Sequence, residues 1–579
     1  MKFRTCAAAF ALAAVATTVF AQSKPLPLKH KAEPTKAEIT ANDLMTHLYI
    51  FADDSMMGRQ AGTEYNTKGT TYIADQLKKF GVKPGGDNGT YFQNVGIINI
   101  TITSNKPLTV DGQQFVATKD FIPRQAHPFN GEQAIFGGTF GDTSWITSEA
   151  AAGKIVILAT PLRPDGKPSW NNMRQPTSLR YQRAAGIAIM GMDGMTENDW
   201  KPLLNIGQMI DDPTSDPVNI TAPFGFMYVT KAMATAMMGA SVDGLKPGTL
   251  GKTVSGAPAF DSLRAVPARN VIGIIEGRDP KLRGQYVAIG AHNDHVGFQR
   301  GAVDHDSLKA FNSVALLQGA DSLPRTMTAD MIVTFVETLQ KLRSLNPPRM
   351  DSIYNGADDD GSGSVAVLEV AEAFAKSSTK PMRSLIFVWH TGEELGLYGS
   401  QFFTDHPTVP RDSIVAQLNM DMVGRGSATD VTGTTKLIRD ASRKVVSGGV
   451  EIHGGPDYVQ LVGSRRLSTE LGDLIEGVNK TEKKPLAFDY SIDADGHQAN
   501  IYCRSDHYSY ARYGIPVTFF TTGGHSDYHQ LTDEPQYIDY EHMARVANLV
   551  KDIATKVANL DHRIVVDKPK PDPKGRCVQ

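Results

Sequence analysis

The sequence predicts an α/β fold: a mostly parallel mixed sheet covered by helices on both faces, with a β-rich domain inserted into it. Three observations carry this prediction. From Asn270 onward, short and almost uninterrupted apolar runs alternate with helical patterns, as expected of strands buried on both faces. Between residues 106 and 265 the texture changes to short alternating strands and turns. Side chains able to bind metal stand at or just after the ends of the later apolar runs, the edge where such sheets gather ligands.

The elements follow in order. Residues 1–21 read as an export signal, with Lys2 and Arg4 as its basic start, an apolar stretch over 7–20, and Val19-Phe20-Ala21 as a cleavage site before Gln22. The expectation is an exported protein, periplasmic or secreted. The stretch is short for a membrane span, and no later segment is long and apolar enough to be one. A polar linker, 22–40, precedes a short amphipathic helix over 43–51. The run Gly58-Arg59-Gln60-Ala61-Gly62-Thr63 is a glycine-punctuated turn. The next helix sets Tyr72, Ile73, Leu77 and Phe80 on one face and stops at Gly81. Within 106–265, residues 153–158 and 186–190 read as strands and 180–185 as a helix. Strands are then expected at 271–275, 286–289, 385–389, 414–418 and 517–520, with a helix at 364–374. Residues 41–105 and 266–562 thus form one discontinuous unit, and 563–579 a C-terminal tail.

At 579 residues the chain is too long for one ordinary domain. With 41% hydrophobic and 21% charged residues it is globular in composition. A net charge of -3 and a pI near 6.6 give no electrostatic case for nucleic acid or an anionic membrane as partner. Signal removal takes away Lys2, Arg4 and Cys6, leaving Cys503 and Cys577. In an oxidising compartment these two can pair and tie down the tail, or they can stay free thiols; sequence leaves both open.

The chemistry concentrates in a few runs. His292 ends an apolar strand, with Asp294 two residues on to orient its ring; His295 beside them reads as an ordinary histidine. Asp358-Asp359-Asp360 packs three carboxylates before a helix, which is costly without a cation, although helix capping by Asp360 or Ser362 is an alternative use. Glu393-Glu394 follows the strand at 385–389, so one acid can bind metal while the other handles a proton. Asp421 ends a strand where unpaired burial would be expensive. Tyr528 and His529 follow the last strand, the phenol being able to donate to a developing oxyanion.

These runs, His292-Asn293-Asp294, Gly356 to Gly363, Glu393-Glu394-Leu395-Gly396, Asn419-Met420-Asp421-Met422 and Asp527-Tyr528-His529, resemble the co-catalytic zinc aminopeptidases of the M28 family. Gly58 to Gly62, Tyr91-Phe92-Gln93 and Ser505-Asp506-His507 are similar to it as well. Gly153-Lys154-Ile155-Val156 and Tyr181 to Ala188 resemble the protease-associated (PA) domain that many members carry. The resemblance implies a zinc-exopeptidase fold and two Zn²⁺ per chain. His292 and Asp421 would hold one ion, Glu394 and His529 the other, and Asp359 would bridge them. It further implies Glu393 as general base toward a zinc-activated water, Asp294 as the orienting group of His292, Tyr528 as oxyanion donor, and a peptide substrate trimmed from its N-terminus. One departure is the length between His292 and Asp359: residues 300–352 form an insertion, with a helix expected at 331–343, that would narrow the cleft or else serve as a surface decoration or dimer contact. Rival readings are a single-zinc cyclase, a carboxypeptidase gripping a terminal carboxylate with Arg425 or Arg504, and a binding module without catalysis. The last needs missing ligands, and none is missing.

Overall fold

In the computed structural model, residues 26–579 are described except 104–105, 125–126, 140–144, 162–180, 182, 211–224, 258, 265–267, 322–325, 426–444, 448–449, 453–456, 498 and 576. The expected export signal lies outside the described residues, as do Arg180 and Gln182. No helix among the described residues is long and apolar enough to cross a membrane.

Four parallel strands form the centre of the larger sheet: β1 (Tyr286–His292), β2 (Ser384–His390), β3 (Ile414–Met420) and β4 (Val517–Thr521). Their spatial order is β2-β1-β3-β4, and His292 pairs with His390 at the carboxyl end of the first pair. Each strand is apolar at nearly every position because both faces are covered. Val287, Ile289, Ala291, Phe387 and Trp389 face one core, while Ala288, Ile386, Val388 and Phe519 face the other. The first core is roofed by helices α1 (Ala41–Phe51), α2 (Glu64–Phe80), α3 (Gly363–Lys376) and α4 (Tyr540–Ala558). As expected, α2 ends on Gly81 in a left-handed conformation, where nothing would oppose a Cβ but its φ of +80° favours glycine.

The sheet is mixed rather than parallel throughout. Ala268–Ile275 runs antiparallel to β2, and Tyr458–Val462 antiparallel to β4. A second sheet of eight strands is drawn from Leu108–Val110 through Leu250–Gly256 and includes Ile155–Ala159 and Gly186–Met190. Of the run 180–185, expected as a helix, Tyr181, Arg183, Ala184 and Ala185 lie in turns and bends, the Lys154 carbonyl accepting from the backbone of Ala185 and Gly186. The insertion has its own structure. Phe298–Asp304 and Met350–Ile353 pair at its base, and the helices His305–Ala315 and Ala329–Leu345 stand on them. Cys503 and Cys577 are disulfide-bonded, which anchors the tail.

Candidate metal centre

Because β1–β4 are parallel, their carboxyl ends open on one edge, and the loops leaving that edge converge. His292 is the last residue of β1, and Asp421 directly follows β3. Glu393 and Glu394 lie in the loop after β2, and His529 in the loop after β4. Asp359 comes from the turn Ala357–Ser362 that enters α3.

Asp359 is the hub. Its Oδ1 lies 3.1 Å from His292 Nε2, and its Oδ2 2.9 Å from His529 Nε2. Asp421 Oδ1 is 3.7 Å from His292 Nε2, and Glu394 Oε2 is 2.9 Å from His529 Nε2. Two groups of donors result, His292/Asp359/Asp421 and His295/Asp359/Glu394/His529; within each, the donor atoms lie within 4.8 Å of one another. His292 Nε2, Asp359 Oδ2, Glu394 Oε1 and both ring nitrogens of His295 are buried without a hydrogen-bond partner among the described residues. Left so, each would carry a desolvation penalty. Imidazole and carboxylate donors without cysteine suit zinc, so the residues present fit the ion.

The neighbouring acids divide the remaining work. Asp360 accepts from the backbone N–H of His292 (2.9 Å) and Gly363 (2.9 Å), capping α3 as one reading of the sequence expected. Ser362 instead donates to Asp358, which also accepts from Gly424 N–H at 2.7 Å. Asp533 receives the N–H groups of Asp358 and Asp359. Arg59, fully buried, donates to the carbonyls of Asn355 and Gly356, so the glycine-punctuated N-terminal turn pins the loop that carries Asp359. A Cβ at Gly58 would stand 2.1 Å from the Gly297 carbonyl oxygen, which requires glycine there.

Asp294 meets His292 through both its backbone and its side chain. The His292 Nδ1 lies 3.1 Å from the Asp294 carbonyl and 3.7 Å from its carboxylate, which also accepts the Glu393 N–H at 3.2 Å. Ser505 donates to Asp421 at 2.7 Å and is itself held by Asn419 at 3.0 Å. Tyr528 stacks on His529 with ring centroids 4.1 Å apart; its hydroxyl accepts from Arg504 at 3.2 Å, and Arg504 is paired with Asp321 of the insertion at 2.7 Å.

The two adjacent glutamates are driven apart electrostatically. Burial, with Asp421 and Glu394 adding, pushes the Glu393 carboxyl well above its ordinary range against the pull of His292. Burial and Asp359 oppose the Glu394 carboxylate too, yet His529 and His295 hold it down at about 2. Such divergence separates a proton-handling acid from a ligand. Glu393 Oε2 lies 3.9 Å from His292 Nε2, on the wall of a cleft lined also by Gln318, Asp321, Arg504, Ile492, Ile501, Phe519 and Tyr528.

The structure therefore gathers His292, Asp294, Asp359, Glu393, Glu394, Asp421, Tyr528 and His529 in one place. Sequence reasoning set His295 aside, yet it sits among the donors; its place three residues after His292 on the same strand end was the available signal. Arg425, considered as a carboxylate grip, is buried, paired with Asp527 at 2.8 Å, and not among the residues lining the cleft.

A carboxylate shared by two donor groups at the carboxyl edge of an α/β sheet is an arrangement that could hold two metal ions. Residues 344–554 match the model of Peptidase family M28. Among curated relatives, leupeptin-inactivating enzyme 1 of Streptomyces exfoliatus is 42% identical over 78 residues, 13% of this chain and 18% of that protein. Leucine aminopeptidase 1 of Coccidioides posadasii (strain C735) is 30% identical over 212 residues, 35% of this chain and 47% of the relative. The chain thus spans less than half the length of these relatives. Among solved structures, an aminopeptidase from Aneurinibacillus sp. strain AM-1 aligns with a TM-score of 0.45 at 16% identity, over 92% of this chain and 97% of that one. BSAP, a zinc aminopeptidase from Bacillus subtilis, aligns with a TM-score of 0.44 at 15% identity, over 90% and 96%.

Proposed function

We propose that the protein is an exported zinc-dependent aminopeptidase that removes N-terminal residues from peptides, with two Zn²⁺ per chain. The observation that carries this is the shared Asp359, with Glu393 beside it and outside both donor groups. In this reading His292, Asp421 and Asp359 hold one ion and Glu394, His529 and Asp359 the other. When bound, the ions supply Lewis acidity toward a water and toward the scissile carbonyl. Glu393 takes the proton of the attacking water and hands it to the leaving amine. Tyr528 donates its hydroxyl proton to the carbonyl oxygen; the Arg504 N–H groups occupy the phenol oxygen as acceptor and leave its proton free. Asp294 keeps His292 turned toward the site.

The aminopeptidase polarity is supported by charge. Acidic Glu393 lines the cleft and suits a substrate ammonium, whereas Arg504, the one cation among the described lining residues, is neutralised by Asp321 at 2.7 Å. Residues 41–105 with 266–562 would be the peptidase unit, and 106–265 the PA domain. The insertion 300–352 would restrict the cleft to short peptides, since Gln318 and Asp321 stand on its wall and the Ala320 N–H donates to the Tyr528 carbonyl.

Glu393→Gln should abolish peptidase turnover by a factor of roughly 10³ or more while two zinc ions per chain remain, read by metal analysis and a panel of aminoacyl substrates. Survival of turnover would remove Glu393 from its role. N-blocked peptides should be refused and C-amidated ones accepted; the reverse would establish a carboxypeptidase. Asp321→Ala should raise KM for dipeptides more than for longer peptides if the insertion selects length.

A further inference from the structure

We propose that His295 is a ligand of the metal held by Glu394 and His529, so that the two metal positions are unequal. One is closed by four protein donors; the other, with three, stays open beside Glu393. The inference rests on the two-metal reading above and deepens it.

His295 is 1% exposed. Its Nδ1 lies 2.6 Å from Glu394 Oε1 and 3.8 Å from Asp359 Oδ2, among the carboxylate donors of the group, and its Nε2 has no hydrogen-bond partner among the described residues. A buried imidazole set among carboxylates with a ring nitrogen unsatisfied is destabilising, and ligation removes that penalty. The ring is also held where it stands. A Cβ at Gly356 would come within 2.5 Å of its Cγ and Cδ2, so the left-handed glycine there makes room for it. On another side it meets the His529 ring edge-on, centroids 5.4 Å apart and planes at 80°. His295 cannot swing away without disturbing a residue that is itself a donor.

The other group has no fourth donor among the described residues: it consists of His292, Asp359 and Asp421, and Glu393 Oε2 stands 3.9 Å from His292 Nε2. Zinc sites closed by four protein ligands retain the ion structurally, whereas three-ligand sites keep a position for chemistry. The His292 position would then be the exchangeable one and the His295 position the retained one.

The test is stepwise metal removal from the zinc-loaded full chain with a chromophoric chelator, followed with and without His295. The wild type should lose its ions in two separated steps. His295→Ala should release the second ion at least about tenfold more easily, merging the steps. His295→Asn keeps an N–H close to the Nδ1 position but is a poor zinc ligand, and it should behave like alanine. Cobalt(II)-loaded wild type and variants should differ in visible absorption at the late-released position. Wild-type retention in His295→Ala would overturn the inference, and so would full rescue by asparagine, which would make His295 a hydrogen-bond donor to Glu394. Should the alanine variant not fold, as judged by thermal melting of the metal-free proteins, asparagine and the cobalt spectrum decide. A wild type holding fewer than two ions would instead refute the two-metal reading itself.

Discussion

The two halves of the candidate metal centre are built on different principles. His292 and Asp421 sit on the ends of β1 and β3, where ladder hydrogen bonds and two apolar cores already fix the backbone. Tyr528 and His529 sit on a loop, with His529 at a φ of +53°, a conformation a histidine seldom adopts unaided. That loop is held by buried charge. Asp527 is clamped by Lys309 and Arg425, and Glu534 by His305 at 3.0 Å and by Arg349. His525 lies 3.1 Å from Asp358, behind the hub. Three of the clamping residues, Lys309, His305 and Arg349, come from the insertion. A ligand at a strand end inherits its rigidity from the sheet. A ligand on a loop needs it imported, and here the insertion supplies it. Wholesale deletion of 300–352 would therefore dismantle half the site as well as opening the cleft.

The largest way to break this contrast is Lys309→Met. Leaving Asp527 buried with less charge compensation should cost about 3–5 kcal/mol, seen as a lower Tm, and should loosen the metal on the His529 side first. Equal weakening of both ions would mean that the halves are not separately built. Next in size is a change remote from both. Burial, with Glu372 and Asp43 adding, raises the Glu369 carboxyl to about 9, while burial and Lys79 lower the His47 imidazole beside it to about 4. The folded state thus keeps a proton on Glu369 that the unfolded chain gives up above its ordinary pKa near 4.5. Its contribution to stability is complete below that value and is lost as pH climbs toward about 9. Glu369→Gln, neutral at every pH, should be more stable than wild type at pH 8 by on the order of a few kcal/mol, with no advantage near pH 4, read from Tm across pH. Both metal steps should be untouched. The smallest effect belongs to the strand half: Ser505→Ala removes one hydrogen bond from Asp421 and should weaken only the His292-side ion, by about 10-fold.

Much of this was legible in the residues. Continuous apolar runs announced the central strands because a strand buried on both faces has no polar side to show. The acids and histidines stood out because charge at the end of such a run is expensive unless used. His295 was lost for the opposite reason. Histidine is as often a packed residue as a ligand, and nothing in a single run reveals whether its nitrogens find partners. Tyr181, Arg183, Ala184 and Ala185 were misread as helical because helical composition over so few positions does not repay the cost of nucleating a helix.

Sequence by itself determined the donor types, their order along the chain and the edge of the sheet on which they would gather, since side-chain chemistry and apolar periodicity are local properties. Tertiary structure alone decided that Asp359 and not its neighbours is the hub, that Cys503 meets Cys577, and that Lys309 supports Tyr528 and His529 through Asp527. Each of those is a distance between residues far apart in the chain, set by how helices and loops pack over the sheet.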